Sequence, residues 1–270
     1  MIYTCYEMAL DCRADRAEGW SHFIREYVPV IQKLVAHYFA ERADDRGWME
    51  SLVVALRQPE SSLFQTLEPA PERWFVAELR QRLLAAADGL DGGKSPEIEI
   101  DLEALGAALE PLTVVEKQTT WLETMRYAPE ETGVLLRMEP RTVEKIREKA
   151  AERIRGSMDN WRRSVLTDNG RQLGRAAAAA HTKDCLSAKA FLDVLDGRMT
   201  WRGREELERH VTACWHCIDH FCRMAEVVEV LRGVTPLSEP EAERFRQVLG
   251  VAGQAKPAWK RWFGKASGAV

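Results

Sequence analysis

The sequence predicts an all-α protein made of two small helical domains followed by a smaller helical module. Apolar residues recur at spacings of three and four along most of the chain, which is the pattern of one buried helix face. No long stretch alternates apolar with polar residues as a half-buried strand would. A chain of 270 residues with 46% hydrophobic residues can form about two ordinary cores, and more if the modules are small.

The first domain is predicted to span residues 15–92. Its helical pattern is clearest from Trp20 to Tyr38, and further helices are expected from Gly47 to Arg57 and from Pro71 to Ala87. The segment DGLDGGKSP, Asp88 to Pro96, is dense in turn-forming residues and marks the end of this domain.

The second domain is predicted to span residues 101–160 and to contain four short helices. Their expected positions are Leu102 to Leu109, Val114 to Met125, Glu130 to Leu136 and Arg141 to Arg155. The stretch from Trp161 to Ala180 ends in five alanines and is either a helical spacer or a loose linker, because alanine favours helix but buries little surface.

A last helical module is predicted at residues 181–235, followed by a flexible tail at 236–270. The tail holds one weak helical pattern, from Pro240 to Leu249. Its segment KPAWKRWFGK, Lys256 to Lys265, interleaves cations with aromatic residues, as segments do that touch membranes or nucleic acid. A disordered basic chain end has the same composition.

Composition restricts where the protein acts and what it binds. The formal net charge is −4, so contact with nucleic acid requires a local basic patch. No window approaches the roughly 18 consecutive apolar residues of a membrane span, and the N-terminus lacks the order of a secretory signal. We therefore expect a cytoplasmic protein without a membrane span, whose six cysteines are reduced.

One group of cysteine and histidine residues predicts a zinc site. His210, Cys214 and Cys217 follow the spacing H-x3-C-x2-C, and Cys185 lies upstream beyond a helical stretch. Zinc prefers four nitrogen and sulfur ligands in a tetrahedron, and the i, i+4 spacing of His210 and Cys214 places both on one helix face. The bend DGRMTWRG, Asp196 to Gly203, supplies the reversal that brings Cys185 back. Four protein ligands leave no place for a reactive water, so the site is expected to be structural.

Other interpretations of these residues stay open at the level of sequence. The cysteines are alternatively ordinary reduced core residues beside a surface histidine. Neighbouring residues can also replace one of the four ligands, Cys185 being the least secure. These alternatives are His181, His216, His220 and Cys222.

The helix expected from Arg141 carries a row of cations opposite a narrow apolar stripe. The stripe consists of Val143, Ile146, Ala150 and Ile154, and the cations are Arg141, Lys145, Lys149 and Arg153. A DNA recognition helix needs this division, since one face packs against the rest of its domain and another contacts phosphates and base edges. A parallel acidic row, Glu144, Glu148 and Glu152, is equally typical of a solvated, salt-bridged helix.

The segment CLSAKAFLDVLDGRMTWRGREELERHVTACWHC resembles the zinc-binding anti-sigma domain, and this resemblance covers about residues 183–232. Members of that family bind zinc through an upstream His or Cys and the H-x3-C-x2-C residues. The resemblance implies that Cys185, His210, Cys214 and Cys217 are the ligands here. The membrane-spanning helix that often follows this domain is not expected in this chain.

Residues 102–155 resemble region 4 of extracytoplasmic-function sigma factors, a four-helix unit that contains a helix-turn-helix and reads promoter DNA. The resemblance implies that Arg141, Thr142, Lys145 and Lys149 face the DNA. GWSHFIREYVPVIQKLVAHYF and FQTLEPAPERWFVAELRQRLL resemble two helices of sigma region 2. Between them, where sigma factors carry an acidic polymerase-binding helix, only Asp44 and Asp45 are similar.

These resemblances imply a sigma-factor-like regulator of transcription initiation that binds promoter DNA and core RNA polymerase and is modulated in cis by its zinc module. A second hypothesis is an adaptor of anti-sigma type that sequesters another sigma factor, and a third is DNA binding without polymerase. No phosphate-binding loop, nucleophile elbow or H-E-x-x-H motif occurs in the sequence, so we expect no catalysis.

Overall fold

The computed structural model describes residues 3–65, 71–90 and 98–251. Throughout these residues the chain forms α-helices and short 3-10 turns, and none of them lies in a β-strand. The predicted all-α class is thereby confirmed. The chain divides into two compact units, one formed by Met1–Gly93 with Gly233–Val270 and the other by Lys94–Arg232.

The first unit contains five α-helices in its described residues. They are α1 (Cys5–Arg13), α2 (Ala17–Tyr38), α3 (Arg46–Arg57), α4 (Glu72–Leu90) and α14 (Glu239–Val248). Helix α1 was not expected from the apolar pattern. It begins with a capping box, in which Thr4 and Glu7 satisfy each other's backbone N–H groups.

The core of the first unit is rich in aromatic side chains. Phe23 is completely buried at the centre, and Trp20 meets Phe64 edge to face with ring centroids 5.2 Å apart. Tyr27 and Phe75 form a second edge-to-face pair, at 5.0 Å. Such pairs contribute beyond the surface they bury, so these rings join α2 to α4 and to the segment that contains Phe64.

The C-terminal helix α14 packs against α2 and α3. Phe245 of α14 is fully buried, and Arg244 forms an ion pair with Glu50 of α3 at 2.9 Å. The backbone N–H of Leu237 donates to the carbonyl of Arg25 at 2.9 Å. The described start of the predicted flexible tail is therefore an ordered part of the first unit, whereas Lys256 to Lys265 lie outside the described residues.

The second unit contains nine α-helices in its described residues. They are α5 (Leu102–Leu109), α6 (Val114–Thr124), α7 (Pro129–Leu136), α8 (Pro140–Ile154), α9 (Asn160–Asp168), α10 (Gly170–Ala179), α11 (Ala188–Leu195), α12 (Trp201–Ala213) and α13 (Trp215–Val230). The stretch that sequence left open between spacer and linker thus forms two helices, α9 and α10.

Helix α13 is the centre of the second unit. It contacts α6, α7, α10, α11 and α12, and every residue from Cys217 to Val227 is buried. Three of these buried residues carry charge, Asp219, Arg223 and Glu226. Asp219 and Arg223 form an i, i+4 ion pair with 2.9 Å between carboxylate and guanidinium. Residues predicted to lie in separate domains, 101–160 and 181–235, therefore share one compact core up to Arg232.

Within the described residues, no helix has the length and apolar character needed to cross a membrane.

Candidate metal centre and the surface of helix α8

The four predicted metal ligands lie at the ends of helices. Cys185 is in the loop before α11, His210 is in the last turn of α12, and Cys217 is in the first turn of α13. Cys214 stands between α12 and α13 with an extended backbone, φ −119° and ψ 114°. The expectation that His210 and Cys214 share one helix face is therefore wrong, because α12 ends at Ala213.

The break between α12 and α13 makes the site possible. An extended residue turns the chain, so that His210 and Cys217 approach the same point from two helices instead of lying on successive turns of one. Cys214 is also the N-cap residue of α13.

The ligand atoms of these four residues converge. The imidazole nitrogen of His210 and the three Sγ atoms all lie within 4.8 Å of one another, and the Sγ atoms of Cys185 and Cys214 are 3.7 Å apart. We call Cys185, His210, Cys214 and Cys217 the metal cluster. Separations of this size are what four ligands need to surround one ion at the Zn–S and Zn–N lengths of about 2.0–2.3 Å.

Two further observations fit a metal ion. His210 Nε2 is buried and has no hydrogen-bond partner, which is costly for a polar atom unless something absent from the protein chain satisfies it. The backbone N–H of Leu186 donates to Cys217 Sγ at 3.4 Å, and that of Thr182 to Cys185 Sγ at 3.2 Å. Such N–H···S bonds orient thiolate ligands. The cluster can hold a metal ion, and its three sulfurs and one nitrogen are compatible with zinc.

The pKa values of two of the thiols, Cys217 and Cys185, are shifted in opposite directions. Burial raises the pKa of the Cys217 thiol, and the neighbouring Cys214 adds to this. Burial also acts to raise the pKa of Cys185, but hydrogen bonds from Thr182 outweigh it, so that this pKa is lowered. A bound cation favours all three thiolates, since metal binding displaces the thiol protons.

The bend that returns the chain from α11 to α12 depends on local backbone chemistry. Gly197 adopts φ +69°, in the left-handed region that glycine enters most easily. Next to it, the N–H of Arg198 donates to the carbonyl of Asp193 at 2.7 Å. The hydroxyl of Thr200 then caps α12 by accepting from Gly203 N at 3.3 Å. The reversal predicted between Asp196 and Gly203 is present.

A second group of possible ligands overlaps the first. The ligand atoms of His181, Cys185 and His216 also lie within 4.8 Å of one another. His216 Nδ1 is 3.0 Å from the carbonyl oxygen of Ala178, and burial lowers the pKa of its imidazole. Two other sequence alternatives, His220 and Cys222, belong to neither group of possible metal ligands found in the described residues.

The turn between α7 and α8 is tight and specific. The N–H of Met138 donates to the carbonyl of Gly133 at 2.8 Å, and Arg137 adopts φ 57°. A Cβ atom on Gly133 would lie 2.6 Å from the Met138 oxygen, closer than van der Waals contact allows. Pro140 begins α8 where its missing N–H costs nothing. The two helices are therefore held at a defined angle.

The side chains predicted to face DNA are all exposed. We call Arg141, Thr142, Lys145 and Lys149 the α8 row. On the opposite face Val143, Ala150 and Ile154 are buried. Arg153 departs from the row, because its guanidinium pairs with the buried Glu116 of α6 at 3.0 Å.

Some anchoring residues were missed by sequence reasoning. Arg147 of α8 donates to the Tyr127 carbonyl and to Thr132 Oγ1, both at 2.9 Å, and so fixes α8 on the helices before it. Its position between Glu144 and Glu148 made it look like another solvated charge. No local signal separates an inward arginine from an outward one.

The helices that carry the residues of the metal cluster are attached to α5–α8 by hydrogen bonds. Trp215 Nε1 donates to the Leu102 carbonyl at 2.9 Å, and Lys117 Nζ to the Thr212 carbonyl at 2.9 Å. Arg137, in the α7–α8 turn, donates to the Leu195 carbonyl at the end of α11 at 3.0 Å. These contacts cover α6 and α7 and leave the α8 row exposed.

No protein-family model, curated protein or solved structure matches this chain. Function has to be inferred from the metal cluster, the α8 row and the way in which their helices pack together.

Proposed function

We propose that the protein is a sigma-factor-like regulator of transcription initiation that binds promoter DNA through a helix-turn-helix formed by α7 and α8. The observation that carries this proposal is the α8 row, four exposed DNA-compatible side chains on a helix whose other face is buried. An exposed helix of this kind fits the major groove, where cations position the protein on phosphates and contact guanine edges. On this proposal the protein acts by binding and has no catalytic role.

We further propose that the metal cluster holds a structural zinc ion. Four protein ligands complete the coordination of zinc, and the sulfur-rich set selects it over magnesium or calcium. The ion would join the loop before α11 to the junction of α12 and α13, because the ligands come from these separate segments.

The position of the helices that carry the metal cluster supports modulation in cis. They contact α6 and α7 and reach the α7–α8 turn through Arg137, but they leave the α8 row uncovered. Zinc would therefore act by supporting the helix-turn-helix rather than by blocking it. Removing zinc is expected to weaken DNA binding, and adding zinc back is expected to restore it.

DNA binding is tested with the full chain loaded with zinc and a library of random-sequence duplexes. Selection followed by salt titration should reveal a preferred sequence whose affinity falls as salt rises. The double variant Lys145→Gln/Lys149→Gln should lose binding. Lys189→Gln, on the exposed side of α11, is the matched control and should bind as the natural sequence does. Equal binding by the double variant would refute the role of the α8 row.

A second candidate function is an adaptor that sequesters another sigma factor and does not bind polymerase. One observation favours it. Of the two acidic residues at the expected polymerase-binding position, Asp45 is used as the N-cap of α3, where its carboxylate accepts from Trp48 N at 3.0 Å. That leaves Asp44 as the counterpart of an acidic surface.

Core RNA polymerase distinguishes the two candidates. Co-elution of the zinc-loaded chain with core polymerase, together with transcription from a selected DNA sequence, supports the initiation factor. DNA binding without co-elution removes the initiation role. If neither DNA nor polymerase is bound but a purified sigma factor is retained, the adaptor is the better description.

A further inference from the structure

A cavity of about 420 Å³ lies within the second unit, beside the metal cluster. Its walls come from α5, α6, α9 and the junction of α12 with α13, and Cys214 is one of its lining residues. We call it the tryptophan cavity because Trp121 and Trp215 line it together, with ring centroids 5.7 Å apart. Its volume is within the range of pockets that enclose small organic ligands.

Most of the surface of this cavity is apolar. Besides the two tryptophans, the apolar lining includes Leu109, Leu166, Val211 and Ile218. Both indole rings are held in place, Trp121 by burial and Trp215 by its hydrogen bond to the Leu102 carbonyl. A rigid aromatic wall favours a flat apolar ligand, since little side-chain freedom is lost when the ligand binds.

One cation in the lining, Lys117, forms no ion pair with a described residue. Lys117 is half-buried, and its ammonium group makes a single hydrogen bond, to the Thr212 carbonyl at 2.9 Å. No carboxylate of the described residues lies within ion-pair distance of it. Because an ammonium group has three donors, two remain for an acceptor in the cavity. Burial lowers the pKa of Lys117, and the nearby negative charge of Glu110 offsets only part of this effect.

The other charged residues of the lining are exposed. Glu110 is exposed to solvent, and Arg209 lies 3.9 Å from Glu205 across a turn of α12. An anion placed against the half-buried Lys117 accepts from ammonium donors that make no other contact with the described residues, whereas the exposed carboxylate of Glu110 needs no ligand to satisfy it. Charge complementarity therefore favours an anionic ligand with an apolar body.

We propose that the tryptophan cavity is a binding site for a small aromatic carboxylate, with the ring against Trp121 and Trp215 and the carboxylate on Lys117. The site is separate from the α8 row and does not depend on DNA binding. Its ligand would contact α6 and the α12–α13 junction at once.

The test uses the full zinc-loaded chain and three probes of nearly equal size but different charge: naphthylacetate, naphthylethanol and naphthylethylammonium. Binding is measured by calorimetry and by equilibrium dialysis. Naphthylacetate is expected to bind saturably with one site per chain and more tightly than the neutral and cationic probes. If naphthylacetate shows no saturable binding, or the ammonium probe binds at least as tightly, the proposal fails.

Variants locate the binding to this cavity. Lys117→Met should weaken naphthylacetate by about tenfold or more, the usual effect of losing a hydrogen bond to a charged group. The affinity of the Lys117→Met variant for naphthylethanol should equal that of the natural chain. Thr120→Phe should abolish binding of all three probes by filling the cavity, to which Thr120 contributes. Lys189→Met is the matched control, as an exposed lysine distant in sequence, and should bind as the natural chain does.

Zinc content and thermal unfolding show whether each variant is folded. Naphthylacetate binding that is unchanged in a folded Lys117→Met variant would overturn the assignment of the carboxylate. If Lys117→Met does not fold, the comparison of the three probes with the natural chain decides the question alone.

Discussion

The metal cluster and the α8 row are both sets of four residues in the same compact unit, but they are built in opposite ways. The cluster collects ligand atoms from three separate segments of chain to within 4.8 Å of one another. The row lies on one helix, and all four of its side chains extend into solvent. All members of the cluster lie close enough to surround one ion, whereas the side chains of the row are accessible to a partner.

This difference determines what each site contributes. Buried or half-buried ligands affect stability, because leaving one unsatisfied costs free energy within the fold. Exposed cations contribute little to stability, so their effect appears only in binding. A change in the metal cluster should therefore alter folding, and a change in the α8 row should alter DNA affinity alone.

The largest effect is expected from Cys217→Ser. Cys217 is fully buried, and structural zinc contributes about 10–16 kcal/mol of apparent binding free energy in small zinc-dependent folds. We expect loss of stoichiometric zinc and a fall of at least about 5 kcal/mol in the free energy of unfolding of the second unit. Metal analysis and chemical denaturation measure both quantities. Cys222→Ala, on the same helix, is the control and should retain zinc. One zinc per chain in Cys217→Ser would show that Cys217 is not a required ligand.

The second prediction compares two ion pairs with the same i, i+4 spacing. Asp219 and Arg223 are almost completely buried, whereas Arg204 and Glu208 of α12 lie 2.8 Å apart on the surface. Asp219→Ala should cost about 3–5 kcal/mol of stability, because it leaves a buried guanidinium without its partner. Glu208→Ala should cost less than about 1 kcal/mol. Similar denaturation midpoints for the two variants would show that the buried ion pair contributes no more to stability than the exposed one.

A smaller effect, visible only in binding, is expected from Lys145→Gln. Loss of one phosphate contact should reduce the slope of log affinity against log salt by about 1, while zinc content and unfolding stay unchanged. Fluorescence anisotropy with a selected duplex over a range of salt concentrations measures the slope. A loss of stability in this variant would mean that the α8 row is not the independent surface described above.

The smallest effect is the pH dependence of stability that comes from Glu116, a residue of α6 that contacts α8 through Arg153. Its carboxylate accepts from Thr113 N at 2.9 Å and pairs with Arg153. Burial acts to raise the pKa of Glu116, but the hydrogen bonds from Thr113 and the charge of Arg153 lower it overall. A lowered folded-state pKa stabilises the protein above the unfolded value of about 4.3, and this contribution is lost as pH falls through the folded-state value.

Glu116→Gln tests this dependence by thermal unfolding across pH. The variant should be less stable than the natural chain near neutral pH, by about 1 kcal/mol as for a lost helix cap. The difference should shrink as the pH falls below about 4. A constant difference at all pH values would show that the charge of Glu116 is unimportant to the packing of α8.

Sequence reasoning located most helices because their signals are local. Apolar spacing and capping residues act within a few positions, so α2, α3 and α8 begin and end within about three residues of their predicted bounds. Helix α1 was missed although its capping box is visible in Thr4 and Glu7. Its apolar pattern is weak, and the apolar pattern was the main criterion.

The sequence predicted the two candidate sites in different detail. The H-x3-C-x2-C spacing named three members of the metal cluster, since metal ligands must be close in space and a short spacing ensures this. The spacing did not reveal the helix break at Cys214. Charge periodicity indicated the three cations of the α8 row together with Arg153, and the resemblance to sigma region 4 added Thr142. Arg147 and Arg153 turn inward, which depends on the neighbours Thr132 and Glu116.

By itself the sequence determined the helical class, the positions of the helices and the residue types able to bind metal, because neighbouring residues decide each of these. Only the tertiary structure decided that α14 returns to α2 and α3, that the helices carrying the metal cluster pack on α6 and α7, and that two tryptophans line a cavity beside Cys214. These outcomes depend on contacts between residues about a hundred or more positions apart, such as Trp215 with Leu102. Shape and burial select such contacts, and no periodicity along the chain records them.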